Sequence, residues 1–215
     1  MTTDPAPATR RPYDASKRQE NARRNRQAVL EAGRELLLRD GYQATTIRAV
    51  AERAGVSPDT VYKSFGNKQR LMKAVYDVAL AGDDEPVPIG QRPAVRRVLA
   101  ESDPARKIEL YAAFVTDLLE RIGGLLAVLA EADPELAKVR DETEAERLIG
   151  MEAFVAHCEE QGLLSPELPR ELVVDSCWAL TSPQLYSQLR HSRGWTAEQY
   201  RQWLATMLTA ALRGR

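Results

Sequence analysis

Apolar side chains recur along this chain at helical rather than strand spacing. Val29, Ala32, Gly33, Leu36 and Leu37 form one such stripe, and Gly41 after Asp40 reads as its stop. Ahead of it, residues 1 to about 18 carry Pro5, Pro7 and Pro12 and few large apolar groups, the pattern of a mobile tail. Three short helices are predicted at about 46–54, 58–64 and 67–80, followed by a polar, proline-bearing linker from Gly82 to Pro93. The next segment, 104–131, is apolar on most faces (Ile108, Leu110, Phe114, Leu119, Ile122, Leu125), which places it at the centre of a bundle. Gly123-Gly124 is expected to bend or split it. Pro134 opens a helix to about Gln161 that Gly162 ends, and two more follow at about 169–191 and 196–213, the first kinked or restarted at Pro183. No stretch alternates strictly and no repeat has a fixed period, so the predicted class is all-α.

The segment 46–68 carries the most information. Ile47, Val50, Ala51 and Ala54 share one face of a short helix for which Thr46 is a suitable N-cap. Gly55 suits a left-handed stop, Val56 an apolar plug, and Ser57 the cap of the next helix. Pro58 fits that helix's first turn, and Asp59 complements its dipole. Val61 and Phe65, four apart, face inward and leave Asp59, Thr60, Tyr62 and Lys63 outward or at the rim. A helix, a tight turn and a helix with a polar outer face make a helix-turn-helix, whose second helix enters the DNA major groove.

The run from Thr46 to Lys68 resembles the DNA-binding signature of the tetracycline-repressor (TetR) family. Shared positions include Ala51, Ala54-Gly55-Val56-Ser57, Thr60-Val61-Tyr62, Phe65, Asn67 and Lys68, while Ser64 stands where the family usually has His or Tyr. The resemblance implies that Thr46, Tyr62 and Lys68 contact phosphates, positioning the protein without reading sequence. It implies base contacts from Arg48, Thr60 and Lys63, with Ser57 and Pro58 at the helix entry. Asp59 either accepts from cytosine or simply favours the helix N-terminus. The basic residues Arg10-Arg11, Lys17-Arg18, Arg23-Arg24 and Arg26 either reach a minor groove or phosphates, or stay solvated.

The resemblance divides the chain into a flexible basic tail (1–20), a helix-turn-helix domain (21–66), a connecting helix (67–80) and a helical ligand-binding and dimerisation domain (81–215). Independent support for dimerisation comes from a terminal stripe of Tyr200, Trp203, Leu204, Met207, Leu208 and Ala211. With Leu172 and Leu180 of the preceding segment it suits a four-helix contact across a two-fold axis; the alternative is that the stripe covers this chain's own core. Apolar and aromatic side chains for a pocket are Tyr111, Phe114, Met151, Phe154 and Trp178, with Cys158 and Tyr186 also in reach of the argument. His157 reads as a surface histidine.

Charge changes this picture in one respect. The 215 residues carry 30 Lys+Arg and 31 Asp+Glu, a formal net charge of −1 that argues against a nucleic-acid partner. Residues 1–80, however, hold 15 basic and 9 acidic side chains (+6), and residues 81–215 hold 15 and 22 (−7). A basic reader joined to an acidic body favours docking on DNA in one orientation. Two cysteines, no long apolar span and no signal-like start lead to an expectation of a cytoplasmic protein without membrane attachment. No phosphate loop, dinucleotide fingerprint, nucleophile elbow or metal-ligand spacing is present, so neither catalysis nor a cofactor or metal is expected. The expected function is a homodimeric transcriptional regulator. It would bind a palindromic double-stranded operator as a repressor and be released by a small apolar or amphiphilic ligand. The alternatives are the same fold controlled by a protein partner or acting constitutively, and an all-α enzyme.

Overall fold

The computed structural model describes residues 13–130 and 134–214, and among them every regular element is helical. Helix α1 spans Tyr13–Ala44, α2 Ile47–Ala54, α3 Pro58–Phe65 and α4 Lys68–Ala81. The body comprises α5 (Pro93–Ala100), α6 (Pro104–Leu129), α7 (Pro134–Glu160), α8 (Arg170–Leu180), α9 (Pro183–Ser187) and α10 (Ala197–Arg213).

Helix α1 begins earlier than the expected tail allows. The polar helix formers from Lys17 to Glu20 extend α1 beyond its buried part, where Glu20 lies 3.8 Å from Arg24 one turn on. Arg10 and Arg11 lie outside the described residues. The other end behaves as read: Gly41, at φ 78°, interrupts the helical backbone before Ala44.

Helices α1–α3 pack through Val29, Leu36, Leu37, Ile47, Val50, Val61 and Phe65, all buried. Each of α2, α3 and α4 starts on a side-chain cap. Thr46, Ser57 and Asn67 accept the amide hydrogens of Ala49, Thr60 and Arg70 at 3.1, 3.2 and 2.8 Å. Caps of this kind contribute about 1 kcal/mol each, a large share for eight-residue helices that cannot persist alone. Helix α4 then crosses α1 at Gly33, where an added Cβ would meet Val75 Cγ2 at 3.2 Å.

Helix α6 is the central element, packed on α1, α4, α5, α9 and α10. The glycine pair does not split it. The helix is continuous through Gly123-Gly124, because flanking side chains such as Ile122 and Leu125 are fully packed and outweigh about 1 kcal/mol of lost propensity per glycine. Gly124 instead permits a close approach, since a Cβ there would sit 2.6 Å from Leu38 Cδ2 of α1. The linker runs from Gly82 to Arg92, as read, with a 3-10 turn at Ile89–Gln91, and leads into a further helix, α5. That helix buries only Val98 completely, too little periodicity to show in sequence. Pro183 restarts the chain as expected, with Ser182 capping α9.

The terminal stripe requires a correction. Tyr200, Leu204 and Leu208 are 0% exposed within one chain, closing the body against α6 and α8, so they cannot form the dimer contact assigned to them. Tyr200 meets Tyr186 edge-on at 4.8 Å. Trp203, Met207, Ala211 and Leu180 are half-buried, and Leu172 is exposed. The face left open on α8 and α10 is therefore narrower than the stripe.

Candidate functional site

The turn between α2 and α3 is rigidly built. Gly55 adopts φ 68°, ψ 30°, and the Val56 amide donates to Ala51 O at 3.0 Å, closing α2 in a left-handed cap. Val61 and Phe65 anchor α3 inward. Its outward face presents Pro58, Asp59, Tyr62 and Lys63, with Tyr62 53% exposed. Thr60 is half-buried, its hydroxyl 2.9 Å from that of Ser57. Arg48 extends from the exposed side of α2. Ser64 turns inward on its own helix and donates to Thr60 O at 2.9 Å, a bond that histidine or tyrosine would not make.

Lys68, at the start of α4, lies over the buried Tyr42 ring with Nζ 4.0 Å from its centroid, and donates to Gln43 O at 3.4 Å. The ammonium is thus held at the edge of α3. Two of the arginines read as either DNA contacts or solvated groups, Arg23 and Arg26, pair with the loop after α4. Arg23 pairs with Glu85 at 2.7 Å, and Arg26 holds Asp84 in a bidentate fork at 2.7 and 3.0 Å. The Arg26 guanidinium also stacks over Phe65 of α3, 4.8 Å from the ring centroid.

A second site lies inside the body, a cavity of about 980 Å³ between α4, α5, α6 and α7. Tyr111, Phe114, Met151 and Phe154 line it, with Tyr111 and Phe154 stacked at 3.6 Å and the Tyr111 hydroxyl 3.9 Å from Met151 Sδ. Trp178 does not. Arg147 donates to its carbonyl at 2.7 Å and covers its ring at 4.0 Å, so the indole packs behind the wall and its assignment as a ligand contact is corrected. Cys158 and Tyr186 are likewise buried outside the lining.

Sequence reasoning missed Tyr76 and Leu80 of α4 and Ile89 of the α4–α5 loop, all of which line the cavity. Burial pushes the Tyr76 phenol well above its ordinary pKa, so it presents an un-ionised hydroxyl there. Lys73 is drawn down by burial, but hydrogen bonds to Asp77 (2.6 Å) and Glu146 (2.9 Å) outweigh this and raise its pKa, keeping it charged. His157, read as a surface group, is half-buried and lines the cavity.

Residues 29–75 match the family described as "Bacterial regulatory proteins, tetR family", and these are the residues that build the capped three-helix unit. Residues 29–75 thus form a domain of the tetR family. YvkB of Bacillus subtilis, an uncharacterized HTH-type transcriptional regulator, is 45% identical over 47 residues, 22% of this chain and 25% of that one. The chain spans between a quarter and just under two thirds of the length of the curated relatives it matches. Solved structures reach further. NalD of Pseudomonas aeruginosa, the secondary repressor of the MexAB-OprM multidrug efflux pump, aligns over 90% of this chain and 98% of its own with a TM-score of 0.64 at 22% identity. SmeT in complex with triclosan aligns over 87% and 90%, with a TM-score of 0.64 at 17% identity. These likenesses show that the chain shares the fold of those structures across the helical body as well as the N-terminal helices. Among the described residues, no helix is long and apolar enough to cross a membrane.

Proposed function

We propose that this tetR-family chain is a dimeric repressor that binds a double-stranded, palindromic operator and leaves it when a small molecule occupies the body cavity. The observation that carries the reading is the span of α4. Its first residue, Lys68, stands beside the recognition helix α3, and its later turns supply Lys73, Tyr76, Asp77 and Leu80 to the cavity wall. Fourteen residues of helix make a rod of about 21 Å joining the two sites. A ligand that favours a different tilt of α4 also favours a different placement of α3, and linkage then lowers operator affinity.

Three further contacts support the coupling. Arg121 of α6 donates to Leu80 O at 3.3 Å, holding the end of α4. Tyr42, at the end of α1, donates to Glu135 of α7 at 3.0 Å. The loop carrying Ile89 is tied to α1 through Asp84 and Glu85. That solved complex holding triclosan supports a ligand-binding role for the body.

Tyr62 and Lys68 position the phosphate backbone, and Arg48, Thr60 and Lys63 read base edges. Dimerisation uses the remaining α8 and α10 surface, including Leu172, Leu180, Trp203, Met207 and Ala211. The test is fluorescence anisotropy with labelled duplexes from the gene's own upstream region, at several salt concentrations, with and without compounds that raise the protein's melting temperature. Saturable, salt-sensitive binding that such a compound weakens is expected. Absence of any salt-sensitive binding would remove the regulator reading, and binding indifferent to every stabilising compound would remove the ligand.

A further inference from the structure

Resting on the reading of α3 as the helix that enters DNA, we infer that Arg70 of α4 is a further phosphate contact, set at the C-terminal edge of α3 and separate from Tyr62 and Lys68. The outward face of α3 runs from Asp59 through Tyr62 and Lys63 to Gly66, at spacings of three and four, and all four residues are exposed. Gly66 closes this row. Its amide donates to Tyr62 O at 2.8 Å, and its backbone leaves the helix at φ 81°. Having no side chain, it offers a partner no donor beyond its backbone. Arg70 fills the space instead: a Cβ added to Gly66 would meet Arg70 Nη1 at 3.3 Å and Cδ at 3.6 Å. The arginine stem thus lies across the glycine and sets the guanidinium at the end of the row.

Arg70 is exposed, and among the described residues its guanidinium has no hydrogen bond or ion pair; only its backbone amide is engaged, by the Asn67 cap. Nearby cations are spent within the chain, Arg53 on Glu35 and Lys73 on Asp77 and Glu146. The first turn of α4 carries Lys68 and Arg70 and no acid. Cations there oppose the positive end of the helix dipole, a cost that an incoming phosphate reverses. The mount is firm, since the next two residues, Leu71 and Met72, are buried. Ser64 supplies no outward donor at this edge, because its hydroxyl is turned to Thr60 O. The acid of the row, Asp59, stands seven residues before Gly66, about 10 Å away along the helix. Recognition helices meet base edges with their N-terminal residues, so a planar fork of donors at the far end of α3 faces the backbone.

The test compares the full chain with Arg70→Ala, Arg70→Lys and, as a reference, Lys68→Ala. Anisotropy is measured on a duplex from the gene's own upstream region and on an unrelated duplex, between about 50 and 200 mM salt. Arg70→Ala should bind both duplexes about five- to tenfold more weakly for each protomer bound at about 100 mM salt, and reduce the slope against log salt by about one per protomer. Arg70→Lys should keep the slope and recover only part of the affinity. The melting temperature should not change, because the side chain is exposed and unpaired. Should Arg70→Ala fold poorly, Arg70→Gln, similar in length and uncharged, takes its place. Replacing each phosphate in turn by a neutral methylphosphonate then locates the contact: one replacement should weaken the wild type but not Arg70→Ala, at a different phosphate from the one Lys68→Ala identifies. Wild-type affinity and slope in Arg70→Ala overturn the contact and leave the regulator reading standing. A loss confined to one duplex, or coupled to no phosphate, likewise overturns it. If the wild type itself binds no duplex in a salt-sensitive way, the regulator reading falls and this contact falls with it.

Discussion

Replacing Arg26 tests whether the loop at the cavity rim is fastened to the recognition helix. Its guanidinium makes two contacts of different kinds, the fork to Asp84 and the stack over Phe65. The ion pair is partly solvated, with 38% of the Arg26 side chain and 29% of the Asp84 side chain exposed, which limits it to about 0.5–1 kcal/mol. The stack contributes about 0.5–1 kcal/mol more. Arg26→Ala should therefore cost roughly 1–2 kcal/mol, or about 2–8 °C in melting temperature for a chain of this size, at fixed protein concentration. Asp84→Ala removes only the fork and should cost about half as much. Arg26→Lys, which keeps the charge but neither the fork nor the planar stack, should recover less than half of the loss. Urea denaturation of the two single variants and the double variant closes the cycle, with the Asp84-dependent part fading in 1 M salt. If Asp84→Ala costs as much as Arg26→Ala, the ring contact contributes nothing. If both lie within a few tenths of a kcal/mol of wild type, the loop is not fastened at all.

Lys68→Ala should weaken binding to all duplexes alike and reduce the slope of log affinity against log salt by about one, whereas Arg48→Ala or Lys63→Ala should change which sequence is preferred in a selection experiment. Leu204→Ala should cost roughly 2–5 kcal/mol by opening a void in a fully buried position, while Leu172→Glu or Trp203→Glu should leave folding largely intact and shift sedimentation towards monomer on dilution. Burial raises the thiol pKa of Cys158 to about 11 and of Cys177 to about 12, so neither should react with a thiol reagent at pH 8 until the chain unfolds. Because the folded values lie above those of the free thiol, the associated stability is intact below about pH 9 and should be lost as pH rises towards 11–12, visible as a falling urea midpoint.

The reading unit was legible in sequence because its constraints are local. A cap such as Ser57, a left-handed glycine such as Gly55 and an inward pair such as Val61 and Phe65 act within one or two turns of themselves. The body was legible as helices but less so as contacts. The stripe of α10 is a true periodicity, yet periodicity states only that a face is covered, and Tyr200 and Leu204 are covered by their own chain. Trp178 shows the same limit, since an aromatic in the right region is excluded from the cavity by an arginine from another helix. Gly124 was read as a weak point, whereas its use depends on Leu38, eighty-six positions earlier. Lys107 of α6, fully buried with its ammonium against His157 and Gln161, gave no sequence signal, because a single lysine in an apolar helix becomes informative only when its burial and partners are known.

Helix α1 is fastened to the rest of the chain at two places, by Arg23 and Arg26 in its first half and by Leu38 against Gly124 and Tyr42 against Glu135 towards its end. A mount with two supports cannot swivel about either one. In the proposed dimer this makes the two reading heads behave like caliper jaws, their gap set by the body rather than by any flexibility of their own. Operator half-site spacing would then be gauged far from the DNA, and a change in spacing by even one base pair would meet a stiff instrument rather than an accommodating hinge.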